Sequence, residues 1–159
     1  VRFTIEFADT EFQGGVALSH IVEQTNREPG ASERMPCAFM GAYGSRVSIP
    51  MSIVNGLLGY PQVSGASTSA ALDDVSQYPL FARTIPSDAG NAIPVIIYMR
   101  NVLDISHLVV INVNDSYGNS YVEGLLAAAE EYAPDMIMHQ IPLDAGEGTI
   151  ETAVTSLKN

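Results

Sequence analysis

The sequence predicts an α/β fold in which parallel β-sheets are covered by helices on both faces. Three observations carry this. Segments of strand character alternate with segments of helical spacing along the whole chain. The strand segments after the first are continuous apolar runs, such as HLVVINV, which is how strands buried on two faces read. Three strand-to-helix junctions, FMGAYGS, QVSGASTS and INVNDSYGNS, are rich in Gly, Ser, Thr, Asn and Tyr. In parallel sheets ligands bind at such carboxyl ends of strands, so a shared polar composition there favours a site over random turns.

Val1–Ala8 alternates Val1, Phe3, Ile5 and Phe7 against Arg2, Thr4 and Glu6, which predicts a strand. Gly15–Gln24 places Val16, Ala17 and Ile21 at helical spacing. REPGASERMP is an exposed loop and CAFMGA a short apolar strand. GSRVSIPMSIVNGLLG is a helix capped by Ser45 or Ser48, with Pro50 near its first turns. YPQVSGA is the next strand, and YPLFARTIPSD is extended because Pro86 keeps Ile85 out of helix. Ser87 caps a helix running to about Leu103, which Pro94 should kink. HLVVINV is a buried strand. YGNSYVEGLLAAAEEYA is a helix with Val122, Leu125, Leu126 and Ala129 on one side. DMIMHQIP is a further strand, and Thr149–Leu157 a final helix.

The 159 residues are about one domain's worth, and 47% of them are hydrophobic, enough for a core. No apolar run approaches the roughly 20 residues that span a bilayer. The chain starts without Met or a secretory leader, in mid-pattern, and ends on a helix, so it reads as a piece of something larger. The net charge of −11 disfavours nucleic acid and anionic membrane surfaces as direct partners. The single cysteine, Cys37, is expected to be a buried thiol, or else to pair outside this stretch.

Enzyme signatures are missing. Gly41-Ala-Tyr-Gly44 is not a dinucleotide fingerprint, and there is neither a phosphate-binding GxxxxGK[ST] loop nor a GxSxG elbow. His20, His107 and His139 are isolated, whereas metal sites need clustered ligands. No catalytic residue, metal or cofactor is expected.

FMGAYGSRVS, YPQVSGASTSAALDD, YPLFARTIPSD and VVINVNDSYGNSYVEGL, in that order and spacing, resemble the ligand-binding region of the type I periplasmic-binding-protein superfamily. The likeness is greatest to the Venus-flytrap ectodomains of class C G-protein-coupled receptors, the metabotropic glutamate and GABA-B types. It implies a two-lobe fold of parallel sheets flanked by helices, present here as a fragment. Residues 1–85 would form most of lobe 1, without its first strand and helix. Residues 86–159 would begin lobe 2, with the hinge near 84–86. The implied function is extracellular recognition of a small, amino-acid-like ligand by a membrane receptor that signals through cleft closure. The alternatives are a soluble binding protein of a branched-chain amino-acid-type transporter, in the bacterial periplasm, and a doubly wound enzyme domain. A catalytic domain elsewhere in the parent chain, such as a guanylate cyclase, stays open.

The resemblance also implies a site, residue by residue. Ser45, at the start of a helix, would bind the ligand carboxylate, where free N–H groups and the dipole favour an anion; alternatively it only caps the helix. Ala66 would contribute backbone and Thr68 a hydroxyl, while Ser67 and Ser69 satisfy local backbone. Asp88 would face the ligand ammonium, or only complement a helix dipole. Tyr117 would pack its ring over that ammonium. The set suits an α-amino acid or a GABA-like zwitterion. Arg46 is expected to face the surface. Asn114-Asp-Ser116 is a glycosylation sequon, expected to be unused. The helix Val47–Leu58 either packs into the core or, as in receptor members, forms part of a lobe 1 dimer interface. The membrane would be reached only through segments outside this sequence.

Overall fold

The computed structural model describes residues 4–28, 35–144, 151, 154 and 155. The chain divides into two compact units, one of Val1–Ser67 with Leu72–Ile85, the other of Thr68–Ala71 with Pro86–Asn159.

The first unit holds α1 (Gly14–Thr25), β1 (Phe39–Met40), α2 (Ser45–Leu58), β2 (Gln62–Ser64) and β3 (Phe81–Arg83). Its three strands form one parallel sheet in the order β1-β2-β3. The core is the seam between α1 and α2, where Ala17, Ile21, Val47 and Met51 are buried together with Ala42, and Leu18, Phe39 and Val54 pack at its margin. Gly14 brings the helices close: a Cβ there would lie 3.1 Å from Pro50 Cγ. Gly59 ends α2 at φ 80°, a left-handed cap that costs glycine nothing.

Several expectations change here. Residues 4–8 are not a strand: among the described residues nothing pairs with them, and Ile5 and Phe7 stay exposed. Alternation supplies a strand face but not the neighbour whose N–H and C=O groups complete the ladder. The segment is instead tied to the chain just past α1 by Glu6–Arg27 at 2.8 Å, and Asp9 O, following it, lies 3.2 Å from His20 Nε2 of α1. Arg27 holds the Glu6 carboxyl below the usual range. Cys37 is exposed rather than buried, because it precedes β1 and misses the helix seam. Neither Ser45 nor Ser48 caps α2; Gly44 is its N-cap and offers no side chain. Pro50 lies inside α2, past the first turn.

The second unit holds α3 (Ala92–Asn101), β4 (His107–Val113), α4 (Ser116–Tyr132) and β5 (Ile137–Leu143). Strands β4 and β5 pair in parallel over their full length, from His107 opposite Ile137 to Val113 opposite Leu143. Ala92 and Ile96 of α3 bury against Leu125, Ala128 and Ala129 of α4, and Leu108, Val110 and Met138 pack onto that cluster. Both helices therefore lie on one face of the β4–β5 pair. Val109, Ile111 and Val113, on the other face, are 42–50% exposed. The two-sided burial expected of HLVVINV is thus one-sided among the described residues.

The helix expected from Ser87 to Leu103 is two pieces. Ser87 caps a 3₁₀ turn over Asp88–Gly90, accepting from Ala89 N at 3.3 Å, and α3 begins after Asn91. Pro94 falls in the first turn of α3, where no intrahelical acceptor waits for its missing N–H, so the expected kink has no cause. At the far end of α3, Arg100 pairs with Asp104 and Asp135, both at 2.7 Å, and holds the Asp135 carboxyl below the usual range. Of the expected final helix only Glu151, Val154 and Thr155 are described, and they are helical; the remainder lies outside the described residues.

Candidate functional site

Ser45 is the first residue of α2 and is buried. The loop Gly41–Gly44 that delivers it is held by hydroxyls converging on one carbonyl. Ala42 O accepts from Ser64 Oγ at 2.7 Å, with Ser48 Oγ and Ser67 Oγ each 3.2 Å away. Ala42 N donates to Ser48 Oγ at 2.9 Å, and Ser67 Oγ donates to the same oxygen at 2.8 Å. Below them Gln62 Nε2 donates to Gly41 O at 2.9 Å, and its Oε1 accepts from Asn55 Nδ2 at 3.1 Å. Ser48, Ser64, Ser67, Gln62 and Asn55 all have zero exposure. In so dry a place each bond is obligatory, since a buried group left unpaired pays its whole desolvation penalty.

The same hub shapes the turn after β2. Ser64 Oγ accepts from Ala66 N at 3.2 Å and Ser67 N at 3.0 Å. The amide of Ala66 is thus committed inside the fold. Arg83 of β3 secures the turn from its far side, donating to Ser67 O at 3.2 Å and pairing with Asp73. Ser48→Ala should remove the partner of Ala42 N and the 2.8 Å bond of Ser67 together. We expect a loss of about 1–3 kcal/mol in a guanidinium titration; a wild-type midpoint would show the hub to be dispensable.

Arg46 is exposed, as expected, but not idle. Its guanidinium donates to Phe12 O from Nη2 at 2.8 Å and from Nε at 3.2 Å, and lies 4.3 Å from the Phe12 ring centre. Glu11 and Phe12 occupy the left-handed region at φ 50° and 56°. That conformation is costly for non-glycine residues, so Arg46 clamps a strained turn.

In the second unit the segment Thr68–Ser69 touches two helix starts. Asp88 N donates to Thr68 O at 2.9 Å. Ser69 Oγ donates to Ser116 O at 3.2 Å and bonds Ser120 Oγ at 2.9 Å. Asp115 is the N-cap of α4 and accepts from Tyr117 N at 3.0 Å and Gly118 N at 2.9 Å. Tyr117, the second residue of α4, is 44% exposed. Asn114 is engaged at both ends of its amide, donating to Asp144 Oδ1 at 2.6 Å and accepting from Asn119 Nδ2 at 3.0 Å.

Asp88 carries the most informative atom. Its Oδ1 accepts from Asn91 Nδ2 at 3.3 Å, whereas Oδ2 is buried with no hydrogen-bond partner among the described residues. A buried carboxylate oxygen without a donor is unfavourable, which sets this atom apart from the satisfied groups around it.

The structure thus joins Thr68 directly to Asp88 and places Tyr117 next to Ser116, which Ser69 holds. Ala66 is bonded to the Ala42–Ser64–Ser67 hub of the first unit through Ser64, and Ser45 follows the loop that this hub holds. Ser67 and Ser69 are structural, as expected, but their partners are distant in sequence rather than only local. The contributions of Ser48, Gln62 and Ser116 escaped sequence reasoning. Small polar residues on a helix or strand carry no periodic signal, and only the packing shows which are buried. Among the described residues no group of His, Cys, Asp and Glu is arranged to hold a metal, and no helix is long and apolar enough to cross a membrane.

Parallel α/β units with polar strand-to-helix junctions of this kind are shared by ligand-recognition domains and enzymes. Comparison with known proteins specifies which. The chain belongs to the receptor family ligand binding region, matched over residues 1–158. It is 32% identical to metabotropic glutamate receptor 4 of Macaca fascicularis over 131 residues, which is 82% of this chain and 13% of that protein. It is 29% identical to the metabotropic glutamate receptor of Drosophila melanogaster over 119 residues, 74% of this chain and 12% of that one. It is 37% identical to the human extracellular calcium-sensing receptor over 105 residues, 63% and 9%. The relatives are class C receptors, not enzymes. Neither the transporter-type binding protein nor the enzyme domain finds support among them. The chain spans about one eighth of the first relative's length, at 13%.

Proposed function

We propose that the chain is part of the extracellular ligand-recognition domain of a membrane receptor, at the outer face of the plasma membrane, and that its ligand is an amino acid or GABA-like zwitterion. The two units are parts of two successive lobes, and Thr84–Pro86 is the hinge between them. Ser45 at the α2 N-terminus and the Thr68 hydroxyl take the ligand carboxylate, and Ala66, whose amide is given to Ser64 Oγ, only shapes the turn between them. Asp88 and Tyr117 take the ammonium. Binding favours the closed arrangement of the lobes, and closure is the signal.

The observation that carries this reading is the orphaned Oδ2 of Asp88, a buried anionic acceptor in want of a cationic donor. A dimer through lobe 1 completes the reading. Val47 and Met51 of α2 are spent on the core, but Ile53, Leu57 and Leu58 are 46%, 83% and 49% exposed and would supply an apolar contact.

The test is calorimetry on the full-length protein with L-glutamate, L-alanine, GABA and succinate. L-Glutamate is the first probe because the relatives are glutamate receptors by name. Tyr117→Ala should weaken binding of the amine-bearing probes about 3- to 30-fold, the range of a cation–π contact, without altering the melting curve. Failure of all four probes to bind would defeat the reading.

A further inference from the structure

Four buried side-chain atoms lack a hydrogen-bond partner among the described residues: Ser52 Oγ, Asn55 Oδ1, Asp88 Oδ2 and Ser116 Oγ. The first two lie in the middle of α2, away from any strand-to-helix junction. The other two share a location. Asp88 and Ser116 are each the first residue of a helical segment, and each is hydrogen-bonded to one of two adjacent residues. Asp88 N meets Thr68 O at 2.9 Å, and Ser116 O meets Ser69 Oγ at 3.2 Å. Consecutive Cα atoms are only about 3.8 Å apart, so one short segment bonds the backbone of both helix starts.

Other polar groups of the loop are already committed. Asp115 is occupied as the cap of α4, and both ends of the Asn114 amide are bonded. Ser120 Oγ donates to Tyr117 O at 3.1 Å. Ser116 Oγ stands apart from them as a buried hydroxyl with both lone pairs unused.

We propose that Ser116 is a ligand-contacting residue, and that its hydroxyl accepts a hydrogen bond from the same ammonium that Asp88 neutralises. The proposal rests on the amino-acid reading of the site. A primary ammonium has three N–H donors. Asp88 Oδ2 takes one, Ser116 Oγ a second, and the Tyr117 ring lies beside them in sequence. The pair would favour primary amines over N-alkylated ones, because each alkyl group removes a donor and adds bulk between two buried acceptors.

The experiment is a cycle in the full-length protein between Ser116→Ala and N-methylation of the probe. It uses whichever of L-glutamate, L-alanine and GABA binds most tightly, with its N-methyl derivative. The expected result is a loss of about 10- to 100-fold for the primary amine with Ser116→Ala, the size of one hydrogen bond from a charged donor, with an unchanged melting temperature. The penalty for N-methylation should shrink in the variant, since both changes delete the same bond. Two outcomes would overturn the proposal. Wild-type affinity in Ser116→Ala, with Asp88→Ala still losing binding, would leave the site standing and remove Ser116 from it. An N-methylation penalty equal in wild type and variant would make the role of Ser116 purely structural. If none of the three probes binds the wild type, the amino-acid reading itself falls, and this proposal with it.

Discussion

Gly118→Ala is expected to destabilise the second unit by about 3 kcal/mol, the upper range for overpacking an interior. A Cβ at Gly118 would lie 2.1 Å from Val113 O, 3.0 Å from Val113 Cγ2 and 3.1 Å from Asn112 Nδ2. The nearest of these is backbone at the end of β4, and it cannot rotate away. Val113 O also accepts from Asp115 N at 2.9 Å and from Asn112 Nδ2 at 2.8 Å, so moving it disturbs the turn that delivers Ser116 and Tyr117. A thermal melt followed by circular dichroism reads the effect. The built-in contrast is Gly15→Ala in α1, where a Cβ meets nothing within 4 Å. That change should stabilise by up to about 1 kcal/mol, the ordinary gain of alanine over glycine in a helix. Equal melts for the two variants would mean that β4 and α4 do not approach this closely.

Asp88→Asn should lower affinity for an amine-bearing ligand about 10- to 100-fold, the range of a charge-assisted hydrogen bond, yet leave the unliganded protein as stable as wild type or slightly more so. The two signs differ because Oδ2 is buried without a donor among the described residues: neutralising it relieves a desolvation cost when no ligand is present, and removes the ligand's counter-charge when one is. Calorimetry and a ligand-free denaturant titration on the same samples measure both quantities. A variant that loses stability and keeps its affinity would mark Asp88 as a structural carboxylate whose partner is the start of its own 3₁₀ turn.

Much of the architecture was legible before any coordinates. The apolar spacing of Gly15–Gln24 and of Val122 to Ala129 became α1 and α4, and the runs around Phe39, Val63 and Val109 became parallel strands. Ser87 was legible as a cap because its hydroxyl needs only the N–H two residues on. The errors have a common cause. Val1–Ala8 has strand periodicity but, over residues 4–8, no strand beside it among the described residues, and Cys37 looks like core but precedes the strand that enters it. Pro94 threatened a helix only while Asn91 was assumed to be inside that helix. In each case the missing information was the position of a neighbour.

The site divides in the same way. Ser45, Ala66, Thr68 and Tyr117 lie in the three polar junctions and Asp88 in the PSD segment, and the family likeness nominated all five. The sequence by itself thus determined the α/β class, the order of elements and which junctions are polar, because periodicity and turn chemistry act over a few residues. Only the tertiary structure decided that Ser48, Ser64 and Ser67 meet on one carbonyl, that Ser69 holds the start of α4, and that Asp88 and Ser116 each keep a buried oxygen without a partner among the described residues. Hydrogen-bond satisfaction is a property of what surrounds an atom after the chain has folded, and residues up to 51 apart in sequence supply those surroundings.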